Sequence, residues 1–344
     1  MNSNAADTRE WALTAEGRTE YDAALSACVV ADRADRAILR VYGRDPVGMV
    51  HNLVTNDVAG TGVDGATYAA LLTPKGRMVA DLRIIRRQHD LLLECDAGAR
   101  TALLDTWKRS VPPLFARVED VSDRLAVLGV YGPAAAATLS TVLAEPVAAD
   151  APELDLLIRH FTDHEVMVLA TRDNAASGFD VIVSCDARDA LRSALESAGA
   201  RPIRHATLEV LRIEAGRPGW GTELDPDVIP LEAGLLERAI STTKGCYTGQ
   251  EVIIRILHRG HVNRHLRGVL LGDAPAPPRG TPLHRPGEEK VVGNITSAVW
   301  SPAFRQSIGL AFVRREVVPP ATLRIGSPDG ANAHVVVLPF EMHS

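Results

Sequence analysis

Hydrophobic positions fall into short runs divided by turn residues, and the spacing of those runs changes character along the chain. Residues 9–27 are polar with scattered Trp11, Leu13, Tyr21 and Leu25, which predicts a loosely packed helical lead-in. Residues 37–43 read as a strand, and Asp45-Pro46 opens a helix toward Leu53, with proline at an early helical position. Three apolar runs, 68–72, 78–85 and 91–95, predict a meander of strands, and 99–109 follows as a helix. From residue 125 the expected order is a strand to 130, a helix over 133–143, strands at 156–161, 166–170 and 179–183, and a helix over 188–198. In that last helix Leu191 and Leu195 repeat on one face. The order fits a ferredoxin-like α+β unit. Residues 207–214 are helical and stop at Gly216. Beyond residue 266 come short β-rich segments at 266–271, 291–299, 308–313, 321–325 and 333–338, the texture of a small barrel or sandwich. The proline-dense stretch 274–279 has to be a loop.

At 344 residues the chain exceeds what one core usually supports, so two or three domains are expected. Its 46% hydrophobic and 23% charged residues are ordinary for a soluble globular protein. A formal net charge of -6 argues against general nucleic-acid affinity, which needs surplus Lys and Arg on the contacting face. Cys28, Cys95, Cys185 and Cys246 lie far apart with no Cys-x-x-Cys pair, so neither a disulfide framework nor a zinc ribbon is suggested. They also lack the clustering of iron–sulfur ligands. No basic-then-apolar leader opens the chain at Met1–Asp7, and no run reaches the roughly 20 apolar residues of a membrane span. A cytoplasmic, reducing setting is the expectation.

The candidate chemistry centres on Lys244-Gly245-Cys246-Tyr247-Thr248-Gly249-Gln250-Glu251. A thiol two residues from a lysine, with glycine on both sides, suits a reachable thiolate, and Gly245 and Gly249 would let a flat ligand approach the backbone. The same cysteine reads equally as a small buried hydrophobe. The run from Arg255 to Arg267 holds Arg255, His258, Arg259, His261, Arg264, His265 and Arg267 with no acidic residue. It is either a solvated face or a surface for an anionic tail or acidic partner.

The octet resembles the K-G-C-[FY]-x-G-Q-[ED] motif of the YgfZ family of folate-binding proteins, which are linked to upkeep of iron–sulfur enzymes. Arg212-Ile213-Glu214-Ala215-Gly216 is similar to the R-x-E-A-G segment of the aminomethyltransferase (T-protein) of glycine cleavage. Further similarity runs through Leu53–Val58, Leu72–Met78, Pro230–Leu235, Gly293–Ser297 and Ile308–Ala311. The resemblance implies an α+β, three-lobed, T-protein-like arrangement: two ferredoxin-like lobes interleaved in sequence around a central folate channel, and a C-terminal β-barrel. The expected divisions are a lead-in over 1–27, a folate-binding region over 28–265 and a barrel over 266–344.

It further implies tetrahydrofolate or a one-carbon derivative as cofactor, with Glu214 accepting two pterin N–H groups, although Glu214 also reads as a helix-end carboxylate paired with Arg212 or Arg217. Lys244 is expected either to support the Cys246 thiolate or to hold a folate carboxylate. Tyr247 is expected to stack on the ligand or to be a core aromatic, and Arg212 and Asp81 to complete the site. T-protein relatives carry two adjacent Asp residues where this chain reads Ala80-Asp81, and that departure speaks against ordinary aminomethyl transfer. The function expected first is therefore a folate-binding accessory that serves iron–sulfur client or assembly proteins through Cys246, and no resident metal. A folate-dependent aminomethyltransferase or demethylase is the alternative, and a folate sensor docking through the basic run a third reading.

Overall fold

The computed structural model describes residues 5–341. The outermost limits expected for the lead-in and the barrel, and the start of the leaderless stretch at Met1, lie outside the described residues. Helices α1 (Ala5–Glu10) and α2 (Ala15–Ser26) are joined by a 3₁₀ turn, and Thr14 caps α2 by accepting from the Gly17 amide at 2.9 Å. Strand β1 (Val29–Asp32) follows. The first lobe comprises β2 (Arg36–Gly43), α3 (Pro46–Leu53), β3 (Gly65–Leu72), β4 (Met78–Arg86), β5 (Asp90–Asp96), α4 (Arg100–Ser110) and β6 (Ala116–Asp120). Asp45 caps α3 through the Gly48 amide at 3.0 Å, with Pro46 at the first helical position. The second lobe comprises β7 (Leu125–Tyr131), α5 (Ala135–Leu143), β8 (Leu156–Phe161), β9 (His164–Thr171), β10 (Gly178–Ser184), α6 (Cys185–Ser197) and β11 (Arg201–Pro202).

The first sheet runs β3-β4-β5-β2-β6, and the second runs β11-β1-β7-β10-β9-β8. Strand β1 therefore precedes the first lobe in sequence yet pairs with β7 and β11 in the second, so the lobes interleave. After α7 (His205–Glu214), a largely irregular stretch carries α8 (Leu236–Ala239) and α9 (Gln250–Arg259). Six strands, β12 (Arg264–Gly272), β13 (Pro282–His284), β14 (Val291–Ser301), β15 (Gln306–Arg314), β16 (Ala321–Ile325) and β17 (Asn332–Val336), close into a barrel. Of the two alternatives left by the sequence, barrel and sandwich, the barrel is the one formed. Among the described residues, no helix is long and apolar enough to cross a membrane.

Each lobe buries one face of its sheet under its own helices. Leu191 and Leu195 of α6 join Val181 and Val183 of β10, as the four-residue spacing anticipates. The opposite faces of the two sheets press together through Ile38, Ile85 and Leu92 from one side and Val127, Met167, Leu169 and Ile182 from the other.

Beside this apolar contact lies a largely buried ionic layer. Arg83 of β4 donates through Nε and Nη2 to Glu94, which also accepts from Arg36, while Arg83 Nη1 lies 2.5 Å from Asp180 of the second sheet. Arg33 donates to the Tyr131 hydroxyl at 2.8 Å, and that hydroxyl donates to Asp180 at 2.5 Å. Burial alone would raise the Glu94 carboxyl, yet Arg36 and Arg83 carry it down to about 2. Its stabilising contribution is thus complete above the unfolded carboxyl range of about 4.3 and is lost as pH falls toward 2. Replacing Glu94 with Ala strands two buried guanidinium groups, and the expected loss in a denaturant titration at pH 7 is about 3–5 kcal/mol. A loss below about 1 kcal/mol would show that the arginines find other partners.

Candidate functional site

A cavity of about 710 Å³ opens where the first sheet, the β9–β10 loop, α7 and barrel strand β14 meet. That volume is in the range of small-molecule sites. Strand register sets its first wall. Tyr68 of β3 pairs with Arg83 of β4, and Ala70 pairs with Asp81, so these side chains share one face of the sheet. The Tyr68 hydroxyl donates to Asp81 Oδ2 at 3.0 Å, leaving Asp81 Oδ1 buried without a partner. Burial raises the Asp81 pKa, with Arg36 and the Tyr68 bond acting against it.

The same alternation corrects the significance given to Ala80. That residue is fully buried on the other face, in the first-lobe core with Leu82 and Ile84. A carboxylate at position 80 would point into apolar packing rather than the cavity, so the cavity loses no acid by having alanine there.

Arg238 of α8 lies over the Tyr68 ring at 4.9 Å and donates to Asp173 of the β9–β10 loop at 2.8 Å. Trp220 adds an aromatic side chain to the wall. Arg212 also lines the cavity, but its guanidinium N–H groups are taken up by Glu209, Glu223, Ser297 and the Arg217 carbonyl. It ties α7 to the barrel.

The remaining residues singled out in the sequence lie outside this lining. Glu214 is buried between α2, α7 and the barrel, where it accepts from the Tyr21 hydroxyl at 2.9 Å and from Ser301. Burial raises its pKa, and both hydroxyls oppose that rise. The pairing with Arg212 or Arg217 weighed from the sequence does not form, because Arg212 turns to Glu209 and Glu223. Neither Glu214 nor Cys246 lines the central cavity.

Lys244 donates to the carbonyls of His51, Val54 and Asn56, closing off the end of α3, and burial lowers its pKa to about 8. The Tyr247 ring packs under the Lys244 ammonium at 5.3 Å and is buried, with its hydroxyl pushed up to about 12 by that burial. Gly249 has φ +83, and a Cβ there would sit 2.6 Å from the Thr73 carbonyl oxygen. The octet's close backbone approach is therefore to the β3–β4 turn. Gly245 faces open space, and Cys246 is exposed.

The basic run divides. Arg255, His258, Arg259 and His261 are exposed at the C-terminal half of α9 and just beyond it, whereas Arg264 is absorbed by Phe312 at 4.4 Å and by Glu232 at 3.1 Å.

Several cavity residues went unnoticed in the sequence. Glu209 was findable, because it stands three residues before Arg212 on the same helical face. Tyr68 was read only as part of a strand, and nothing local marks Asn174 or Arg238 as facing a cavity.

The GCVT N-terminal domain family matches residues 8–244, and the glycine cleavage T-protein C-terminal barrel domain matches residues 264–340. The chain belongs to the glycine cleavage T-protein family. Within the T-protein family, an aminomethyltransferase of Geobacillus kaustophilus is 30% identical over 306 residues, covering 87% of this chain and 83% of that protein. One of Shouchella clausii is 28% identical over 303 residues, covering 87% and 82%. The crystal structure of glycine cleavage system aminomethyltransferase T from Bartonella henselae superposes with a TM-score of 0.84 at 20% identity, covering 94% of this chain and 89% of that one. The T-protein fold is thereby shown, including its closed C-terminal barrel.

The folded Asp81 carboxyl holds its proton more tightly than the unfolded one. Wild-type stability therefore falls as pH rises from the unfolded range of about 3.9 through the folded pKa. Asp81→Asn lacks that loss. Its melting temperature should exceed wild type near pH 8 and converge with it below about pH 4. A difference independent of pH would contradict the raised pKa.

Proposed function

We propose that the protein binds a reduced folate in the central cavity and transfers a one-carbon unit to or from it, in the manner of a folate-dependent aminomethyltransferase. The observation that carries this reading is Asp81: a cavity carboxyl with one oxygen held by Tyr68, the other unpaired, and a pKa raised by burial. The names of the relatives support the same class of reaction.

The lining suits the ligand in three respects. Tyr68 and Trp220 supply flat apolar surface for a ring system. Arg217 and Arg238 place cations beside it for a carboxylate tail. The unpaired Asp81 Oδ1 provides a buried acceptor for a ring N–H. When bound, tetrahydrofolate supplies the ring nitrogen that takes up the one-carbon unit. Asp81 Oδ1 accepts a ring N–H and can take up or return that proton there, with Tyr68 fixing which oxygen is free. Enclosure by the two lobes and the barrel limits water at that carboxyl. Glu214 enters this account as the group joining α2, α7 and the barrel, and the unpaired thiols suit a cytoplasmic setting.

A second reading rests on Cys246, which stands exposed just ahead of α9 in a segment resembling the YgfZ motif. Under it, folate binding is kept and the thiol serves iron–sulfur client or assembly proteins.

Calorimetric titration of tetrahydrofolate, paired with an assay for methylene-tetrahydrofolate and ammonia from an aminomethyl donor, separates the two. Asp81→Asn should bind tetrahydrofolate within about threefold of wild type while transfer falls by about 10² to 10⁴. Cys246→Ser should preserve both. Undetectable transfer by wild type, together with loss of client-enzyme activity in Cys246→Ser cells, would reverse the order of the two readings.

A further inference from the structure

The β9–β10 loop carries a polar group to which the one-carbon reading assigns no specific role. Asn174 is 9% exposed and lines the central cavity, and its Oδ1 is buried with no hydrogen-bond partner. The backbone on either side is pinned. The Asp173 amide donates to the Thr171 hydroxyl at 3.2 Å, and the Ala175 amide donates to the Leu211 carbonyl of α7 at 3.0 Å. The backbone that carries the Asn174 side chain is thus held at the cavity wall. Buried carbonyl oxygens are rarely left unpaired in native proteins, and one lining a ligand-sized space is accounted for most simply by a donor that arrives with the ligand.

A second unpaired oxygen, Asp81 Oδ1, lines the same cavity from the other lobe. Acceptors contributed by two lobes suit a flat ligand that presents N–H groups on more than one edge. A tetrahydropterin meets that requirement, because reduction turns its ring nitrogens 5 and 8 into N–H donors. In the fully oxidised ring those nitrogens are bare acceptors, and an acceptor facing an acceptor gains nothing and loses its water. Resting on the folate reading above, we infer that Asn174 is a specificity-determining residue that accepts a ring N–H and favours tetrahydrofolate over oxidised folate.

The test is calorimetric titration of tetrahydrofolate and of folic acid into wild type and Asn174→Ala, with thermal melting to check that the variant is folded. Wild type should prefer tetrahydrofolate, and Asn174→Ala should shrink that preference about tenfold, mainly by weakening the reduced ligand. Should Asn174→Ala not fold, Asn174→Ser is measured in its place, with a smaller shift in the same direction expected. An unchanged preference in a folded variant, or a wild type that binds both ligands equally, overturns this inference and leaves the folate reading standing. Uptake of neither ligand by wild type removes the folate reading and this inference with it.

Discussion

Glu94 accepts from Arg83 and Arg36 between the two sheets, and Arg83 reaches past it to Asp180 on the opposing sheet. Burying such charges is favourable only when each finds a partner in good geometry, so this layer admits one relative placement of the two lobes. The cavity inherits its shape from that placement. Asp81 stands two residues before Arg83 on the same face of β4, at the margin of the ionic layer but outside its pairing. Burial therefore dominates its titration, and its Oδ1 stays unpaired beside charges that pair with one another. Arg212 repeats the arrangement at the barrel side, where Glu209, Glu223 and Ser297 occupy its donors and lock α7 against β14.

Much of the architecture was legible from residue patterns. Short apolar runs divided by turn residues gave the meander of the first lobe, the Leu191/Leu195 spacing gave α6, and the change of texture near residue 266 gave the barrel. Strand β1 escaped because Val29–Asp32 is only four residues long and pairs with β7 nearly a hundred residues later. No local pattern encodes such a partnership, and it is the one that makes the lobes interleave. Strand β13, three residues after a proline-rich loop, escaped for the same reason of length.

The site was less legible than the fold. A carboxylate in a sequence block announces its chemistry but not its direction: Glu214 turns to Tyr21 and Ser301, whereas Glu209, five residues earlier on the same helix, lines the cavity with Arg212. Conversely, the alternation of β4 makes Ala80 irrelevant to the cavity, a point visible only once the strand's inner and outer faces are assigned. In the octet, the structure builds Lys244, Tyr247 and Gly249 into the docking of α9 and the β3–β4 turn against the end of α3. Cys246 is left outward, free of that packing. A motif can thus be mostly architecture and still present one exposed thiol.

The account stands on the position of the ligand ring. The most direct measurement is a crystal structure of the protein with tetrahydrofolate. The ring system should lie against Tyr68, with nitrogen donors in hydrogen-bond reach of Asp81 Oδ1 and Asn174 Oδ1. A ring seated beside Cys246 and the exposed face of α9, with the central cavity empty, would contradict it.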